Sequence, residues 1–281
     1  MQLKQALSQA ISDLTSHNVP SPRMNAELLL MFTLGCDRAY LFAHPEREVS
    51  AEEKSRYDAV LAERSRGVPT QYITGHQEFW GTDLLVSPPV LIPRPETEHV
   101  IETVLELIPA TAFGIRMVDV GTGSGAIALA LAREFPHAEI HATDISSSAL
   151  EIAAANAARL DLHQRVQFHN TDLLDGITGE FDLVVSNPPY VGESEEDQVQ
   201  LEVRKFEPRN AVFAGPLGTE IIARLIPQAF EKMRLGGWLV FEISGTIANE
   251  VGSLLNDWDD ASITPDLQGI PRVIRARKPS S

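Results

Sequence analysis

One stretch restricts the fold of this chain more than any other: "RMVDVGTGSGAIALALAREF", from Arg116 to Phe135. An apolar run of strand character passes through a loop holding Gly121, Gly123 and Gly125 straight into an apolar run of helical character. A strand apolar at consecutive positions has both faces covered, the condition of a parallel sheet flanked by helices. The rhythm recurs in "AEIHATD" before "SSALEIAAANAARL", in "RVQFHN", in "FDLVVSN", and in "GGWLVFEIS" after the helical pattern "GTEIIARLIPQAFEKM". Such alternation predicts an α/β fold, a doubly wound and mainly parallel Rossmann-like sheet.

The beginning of the chain has a different period. Leu3, Leu7, Ala10, Ile11 and Leu14 recur at helical spacing, as do Ala26, Leu29, Leu30 and Phe32. Ser21 before Pro22 reads as an N-cap with proline at the first helical position. Ser50 with Glu53 reads as a capping box opening a helix that stops near Gly67. Residues 1–75 are therefore expected to form a small helical bundle. In residues 76–92, two β-prone runs flank Gly81 and Pro88-Pro89 ends the second, which predicts a β-hairpin connector or else an extended linker. Residues 93–281 make up the α/β domain, opened by a helix with Pro95 early and acidic residues in its first turn, where the helix dipole favours them.

Glycines at a strand-to-helix turn let a ligand approach the main chain closely. About twenty residues further on, Asp144 ends the second strand, where a carboxylate accepts hydrogen bonds from both hydroxyls of a ribose. Gly121, Thr122, Gly123, Ser124, Gly125 and Asp144 together predict a site for a ribose-bearing cofactor. "GTGSGA" also fits the looser dinucleotide fingerprint, with Ala126 in the last place. Two features lean the other way. Asp119 before the loop would repel a pyrophosphate but suits a cationic group, and the tight G-x-G-x-G spacing is that of S-adenosyl-L-methionine (AdoMet) sites. Asp172 and Leu173, after the third strand, are expected beside the adenine; otherwise they serve as a helix cap and a core residue.

The fourth strand ends in "SNPPY", so Asn187, Pro188, Pro189 and Tyr190 lie at the same sheet edge as the glycine loop. A planar nitrogen conjugated to a carbonyl or ring is a poor nucleophile because its lone pair is delocalised. Acceptors that hold its N–H protons favour a pyramidal nitrogen and aim the lone pair. The Asn187 side-chain oxygen and the Pro188 carbonyl can supply two such acceptors, preorganised by the fixed proline torsion. Tyr190 can stack on a planar amide or base. A plain β-turn is the alternative, since Asn-Pro commonly starts turns. In this context, after a glycine loop and a ribose acid, methyl transfer to nitrogen is the stronger expectation, with Asn187, Pro188 and Tyr190 catalytic and Asn187 also touching the cofactor.

Charge narrows the partners. The chain carries a net charge of −16, with 8 Lys/Arg against 11 Asp/Glu in residues 1–85 and 15 against 28 in the remainder. The excess acid repels a phosphate backbone, so no direct nucleic-acid contact is expected. A single cysteine, Cys36, rules out an internal disulfide and fits a reducing cytosol. The N-terminus lacks the apolar core of a signal peptide, and no apolar run approaches the roughly 18 residues that cross a bilayer. A cytoplasmic protein without membrane contact is expected. The eight histidines show no paired ligand spacing, so no metal site is expected. The acidic run "ESEEDQ" after the turn reads as a solvated loop or as a lid that meets a basic partner. Trp238 and Phe241 read as core, and Glu242 as a strand residue without an assigned partner.

"VLIPRPETE", "DVGTGSG", "VSNPPY", "FEPRNAVFAG" and "GIPRVIRARK", in this order, resemble the PrmC/HemK family, the N5-glutamine methyltransferases of peptide chain release factors. "SPRMNAELLL" and "PTQYITGHQEFWG" resemble that family's helical domain and connector, so the likeness spans nearly the whole chain. Asn-Pro-Pro-Tyr alone is shared with DNA amino-methyltransferases; its combination with "IPRPETE" and the helical domain is far more specific. The resemblance implies methyl transfer from AdoMet to the glutamine of the Gly-Gly-Gln loop of bacterial class I release factors, by a monomer whose residues 1–75 bind the release factor. It carries onto Gly121 to Gly125, Asp144, Leu173 and Asn187 as cofactor contacts, and onto Asn187 to Tyr190 as the substrate motif. Many members have an aromatic residue where Leu173 stands, so aliphatic packing replaces stacking on the adenine here. Arg94 and Glu96 lie in a family motif near the active site, either touching substrate or tying the connector down. The rivals are a DNA adenine-N6 methyltransferase, a nicotinamide-dependent dehydrogenase and a non-catalytic adaptor that retains the fold.

Overall fold

The computed structural model describes residues 1–280. The chain divides into two compact units, one of Met1–His76 with Leu201–Phe206, the other of Gln77–Gln200 and the residues from Glu207 onward. No helix among the described residues is long and apolar enough to cross a membrane.

The first unit is helical: α1 (Leu3–Ser16), α2 (Pro22–Leu34), α3 (Arg38–Ala43), α4 (Ala51–Ser65) and α5 (Thr70–Thr74). Leu3, Ala6, Ala10 and Leu14 form the buried stripe of α1 and share a core with Ala26, Leu29 and Leu30 of α2 and with Tyr57 and Leu61 of α4. Ser50 and Glu53 cap α4 reciprocally. Ser21 does not cap α2 through its side chain. Its backbone stands at φ +48°, not in the extended region from which a cap hydroxyl reaches the first turn. Its carbonyl accepts instead from the Asn25 backbone N–H and from Asn25 Nδ2, both at 3.1 Å. Asn25 Oδ1 in turn receives Arg64 Nε at 2.8 Å. The buried Arg64 guanidinium also pairs with Glu202 at 2.8 Å, which fixes the helix Leu201–Phe206 in this unit although it lies far along the chain.

The second unit opens with the hairpin β1 (His76–Phe79) and β2 (Thr82–Leu85), then a 3₁₀ turn, Pro95–Thr97, leading into α6 (Glu98–Leu107). There follow β3 (Arg116–Val120), α7 (Ala126–Glu134), β4 (Glu139–Asp144), α8 (Ser147–Arg159), β5 (Val166–Asn170) and β6 (Phe181–Ser186). Beyond β7 (Val191–Gly192), the 3₁₀ turn Glu193–Gln198 and α9 (Leu201–Phe206) come α10 (Arg209–Val212), β8 (Phe213–Gly215), α11 (Glu220–Lys232) and β9 (Met233–Glu242). The chain ends with α12 (Ala248–Ser253), β10 (Asp259–Pro265) and β11 (Pro271–Arg277). A seven-stranded sheet runs in the order β10-β11-β9-β6-β3-β4-β5. Strands β9, β6, β3, β4 and β5 are parallel, whereas β11 is antiparallel to β9 and β10 to β11.

The strands read as unbroken apolar runs because both sheet faces are covered. Met117, Leu183, Val185 and Val240 join the core under α6 and α7, while Val118, Val120, Val184, Leu239 and Phe241 join the core under α11 and α12. The acidic run Glu193–Gln198 forms a 3₁₀ turn with no buried residue, and Arg209 pairs with its Glu196 at 2.9 Å.

Register then fixes where chemistry can occur. Thr143, Val120, Ser186 and Phe241 lie side by side across four parallel strands. One residue further along, Asp144, Gly121, Asn187 and Glu242 therefore emerge in a row at the carboxyl edge of the sheet. The chain winds from β3 to β4 and β5 on one side and resumes at β6 on the other, so this row straddles the point where strand order reverses, the usual ligand crevice of such sheets.

Candidate active site

A cavity of about 260 Å³ opens at that edge, lined by Gly121 to Ser124, Asp144, Ser146, Thr171 to Leu173 and Asn187, with Pro89 to Leu91, Pro93 and Asn210 on other sides. The loop after β3 holds itself in shape. Asp119 is fully buried, and its Oδ2 accepts from Thr122 Oγ1 at 2.6 Å and from the Ala128 N–H at 3.1 Å. Burial pushes its carboxyl up to about 7, and the other oxygen, Oδ1, has no hydrogen-bond partner. Asp119 thus acts beneath the loop and does not line the cavity.

Gly123 stands at φ +57°, and a Cβ built there would meet nothing within 4 Å, so the space over the loop is open for a ligand to approach the backbone. Gly125 differs. A Cβ there would come within 3.1 Å of Leu129 and 3.3 Å of Ala153, so this glycine serves the close approach of α7 and α8 and does not line the cavity. Asp144 Oδ2 accepts from the Gly123 N–H and Oδ1 from the Ser146 N–H, both at 2.9 Å. Burial raises this carboxyl, and the two backbone N–H groups oppose the rise. A carboxylate has roughly four acceptor directions, so two remain unfilled on Asp144, which lines the cavity. An open glycine cradle beside a carboxylate fits AdoMet.

Asn156 on α8 is a further support of this loop. Its Oδ1 accepts from the Leu85 N–H at 2.7 Å, and its Nδ2 donates to the Leu85 carbonyl at 3.0 Å and to the Ser124 carbonyl at 2.9 Å. One buried amide therefore completes the end of β2 as a neighbouring strand would, while gripping the glycine loop. Glu207, also buried, accepts from the Ile92 N–H at 3.2 Å and from Arg94, which fastens the segment around Pro93 over the cavity. Arg94 thus ties the connector down; Asp172 and Arg224, both on the cavity wall, pair at 2.6 Å.

At the centre, Asn187 Nδ2 donates to Thr97 Oγ1 at 3.0 Å, Thr97 Oγ1 donates to Glu242 Oε2 at 2.6 Å, and the Tyr190 hydroxyl donates to Glu242 Oε1 at 2.9 Å. Burial raises the Glu242 carboxyl, against the pull of its two donors and of Arg272. Burial and then the neighbouring Glu242 raise the Tyr190 phenol.

Of the residues singled out in the sequence, Gly121, Thr122, Gly123, Ser124, Asp144, Leu173, Asn187 and Pro189 meet around one cavity. Pro188 is buried, and Tyr190 packs on the core with its hydroxyl on Glu242, so neither lines it. Thr97, Asn156 and Glu207 were not singled out, and Glu242 had no partner assigned. A polar amide in the alanine-rich "AIAAANAAR" pattern and an acid closing an apolar strand were the signals available for Asn156 and Glu242.

Fold and site define a Rossmann-like methyltransferase. Residues 5–75 match the model of the PrmC N-terminal domain and residues 99–205 that of the methyltransferase small domain. The chain is 56% identical over 283 residues to a release factor glutamine methyltransferase of Koribacter versatilis, covering all of both chains. To that of Rhodopirellula baltica it is 37% identical, covering 92% of this chain and 90% of the relative. The chain belongs to the release factor glutamine methyltransferase family. Among solved structures, the T. thermophilus 16S rRNA N2 G1207 methyltransferase in complex with AdoMet and guanosine shares the fold, with a TM-score of 0.55, 18% identity and coverage of 72% of this chain and 49% of that one.

Proposed function

We propose that this protein methylates the side-chain amide nitrogen of the glutamine in the Gly-Gly-Gln loop of bacterial class I release factors, in the cytoplasm, with AdoMet as methyl donor. The observation that carries the reading is the position of Asn187. It stands in one register row with Gly121 and Asp144 and lines the same cavity.

AdoMet, when bound, supplies a methyl group on a cationic sulfur that leaves as a neutral thioether. Asp144 would hold the ribose through its two unfilled acceptor directions, and the open backbone at Gly121–Gly123 would admit the rest of the donor. Leu173, on the cavity wall, would offer an aliphatic surface to the adenine. Asn187 Oδ1, which lines the cavity, would accept an N–H proton of the substrate amide and so draw its lone pair out of conjugation toward the donor. The two prolines after it fix the backbone that carries this acceptor. No strong base is required, because the methylated nitrogen is acidic enough to release its proton to water.

Incubation with labelled AdoMet and either release factor or DNA tests this. Label on release factor alone is the expected result; label on DNA alone would overturn the reading in favour of a DNA amino-methyltransferase.

A further inference from the structure

We infer that Glu242 is a positioning residue for the reaction, acting through Thr97 to set which way the Asn187 amide faces. The inference rests on the proposed methyl transfer to an amide nitrogen. Glu242, Thr97 and Asn187 form a chain of buried or half-buried groups along which each proton can be counted.

Both Glu242 oxygens stand as acceptors, Oε2 toward the Thr97 hydroxyl and Oε1 toward the Tyr190 hydroxyl. Glu242 is 1% exposed, and its two oxygens meet the Thr97 and Tyr190 hydroxyls at 2.6 and 2.9 Å. Each hydroxyl has one proton, and each directs it at Glu242. Thr97, which is 3% exposed, then has only lone pairs left for its other neighbour, 3.0 Å away. That neighbour is the side-chain amide of Asn187, which must present its N–H₂ group to Thr97. Its carbonyl oxygen is thereby turned to the other side, as the acceptor that a substrate N–H requires. The reverse orientation would set a donor against a donor and leave the substrate nitrogen conjugated and unreactive. Glu242 thus writes the polarity of the site two hydrogen bonds away, and the same side chain pins Tyr190 of the turn through its hydroxyl. Register makes the arrangement possible, because Asn187 and Glu242 each follow the aligned pair Ser186 and Phe241 on adjacent parallel strands.

Thr97→Val keeps the shape of the side chain but removes the link. Thr97→Ser keeps the link, and Glu242→Gln places an amide donor where only acceptors stood. With release factor as substrate, Thr97→Val and Glu242→Gln are expected to lower kcat about 10- to 100-fold. Calorimetric AdoMet affinity should stay within about threefold of the parent. Thr97→Ser should recover most of kcat. The double variant Thr97→Val/Glu242→Gln should be little slower than the worse single one, since both cut one chain. Should Glu242→Gln fail to fold, the Thr97→Val and Thr97→Ser pair decides alone. Parent-like kcat in Thr97→Val, or equal losses in Thr97→Val and Thr97→Ser, would overturn the inference. A parent protein that binds AdoMet yet leaves release factor unmodified would instead remove the proposed function on which it rests.

Discussion

Asn156 and Leu85 exchange two hydrogen bonds, at 2.7 and 3.0 Å, through which a helix side chain replaces a missing strand at the end of β2. The same amide reaches the Ser124 carbonyl in the glycine loop. Asn156→Ala would leave two carbonyls and one N–H without partners in a buried setting, a loss of about 2–4 kcal/mol. Urea denaturation measures it, and AdoMet titration should show a parallel loss of affinity. Unchanged stability would mean that water replaces the amide without cost.

Asp144→Asn keeps the size of the side chain but points an N–H₂ group at a backbone N–H of Gly123 or Ser146. One acceptor for the ribose is also lost. AdoMet affinity is expected to fall about 10- to 100-fold by calorimetry, with little change in overall fold.

Much of this site was legible in the sequence because it depends on local grammar. Continuous apolar strands, three glycines at a turn and an acid ending the next strand each report a backbone requirement within a few residues. Asn187 was legible for the same reason, since its two following prolines announce a rigid turn. The groups that support these were not. Glu242 lies 145 residues from Thr97, and Asn156 lies 71 from Leu85. Only the parallel register of β6 and β9 brings Glu242 beside Asn187, and no window of sequence contains it. The antiparallel end of the sheet was also hidden. Strand β10 is an edge strand whose residues are almost all exposed, so "DDASITP" carries no apolar pattern.

Asp119 makes stability depend on pH. Its carboxyl ordinarily titrates at 3.8 and is pushed by burial up to about 7 in the folded protein. The folded chain therefore keeps a proton that the unfolded chain releases, so stability falls as pH rises from about 3.8 to about 7 and is flat above both values. The full span is about 4 kcal/mol. Asp119→Asn should flatten this part of the profile, so that denaturation midpoints at about pH 5 and about pH 8 differ less than in the parent. An equal difference in both proteins would assign the slope to other groups.

Glu207 is a buried acid with two donors, the Ile92 N–H and Arg94. Glu207→Ala strands that N–H and frees the segment bearing Pro93 over the cavity. A loss of about 1–3 kcal/mol is expected, read by thermal unfolding, together with weaker AdoMet binding. Glu207→Gln, which retains one acceptor, should lose less.

The central claim is that Asn187 presents an acceptor to a protein glutamine amide beside a bound methyl donor. The most direct measurement is mass spectrometry of the Gly-Gly-Gln peptide after release factor has been incubated with AdoMet and either the parent protein or Asn187→Ala. The account predicts one added methyl group on the glutamine with the parent and a loss of at least about 100-fold in rate with the variant. A methyl group on any other residue, or equal methylation by both proteins, would contradict it.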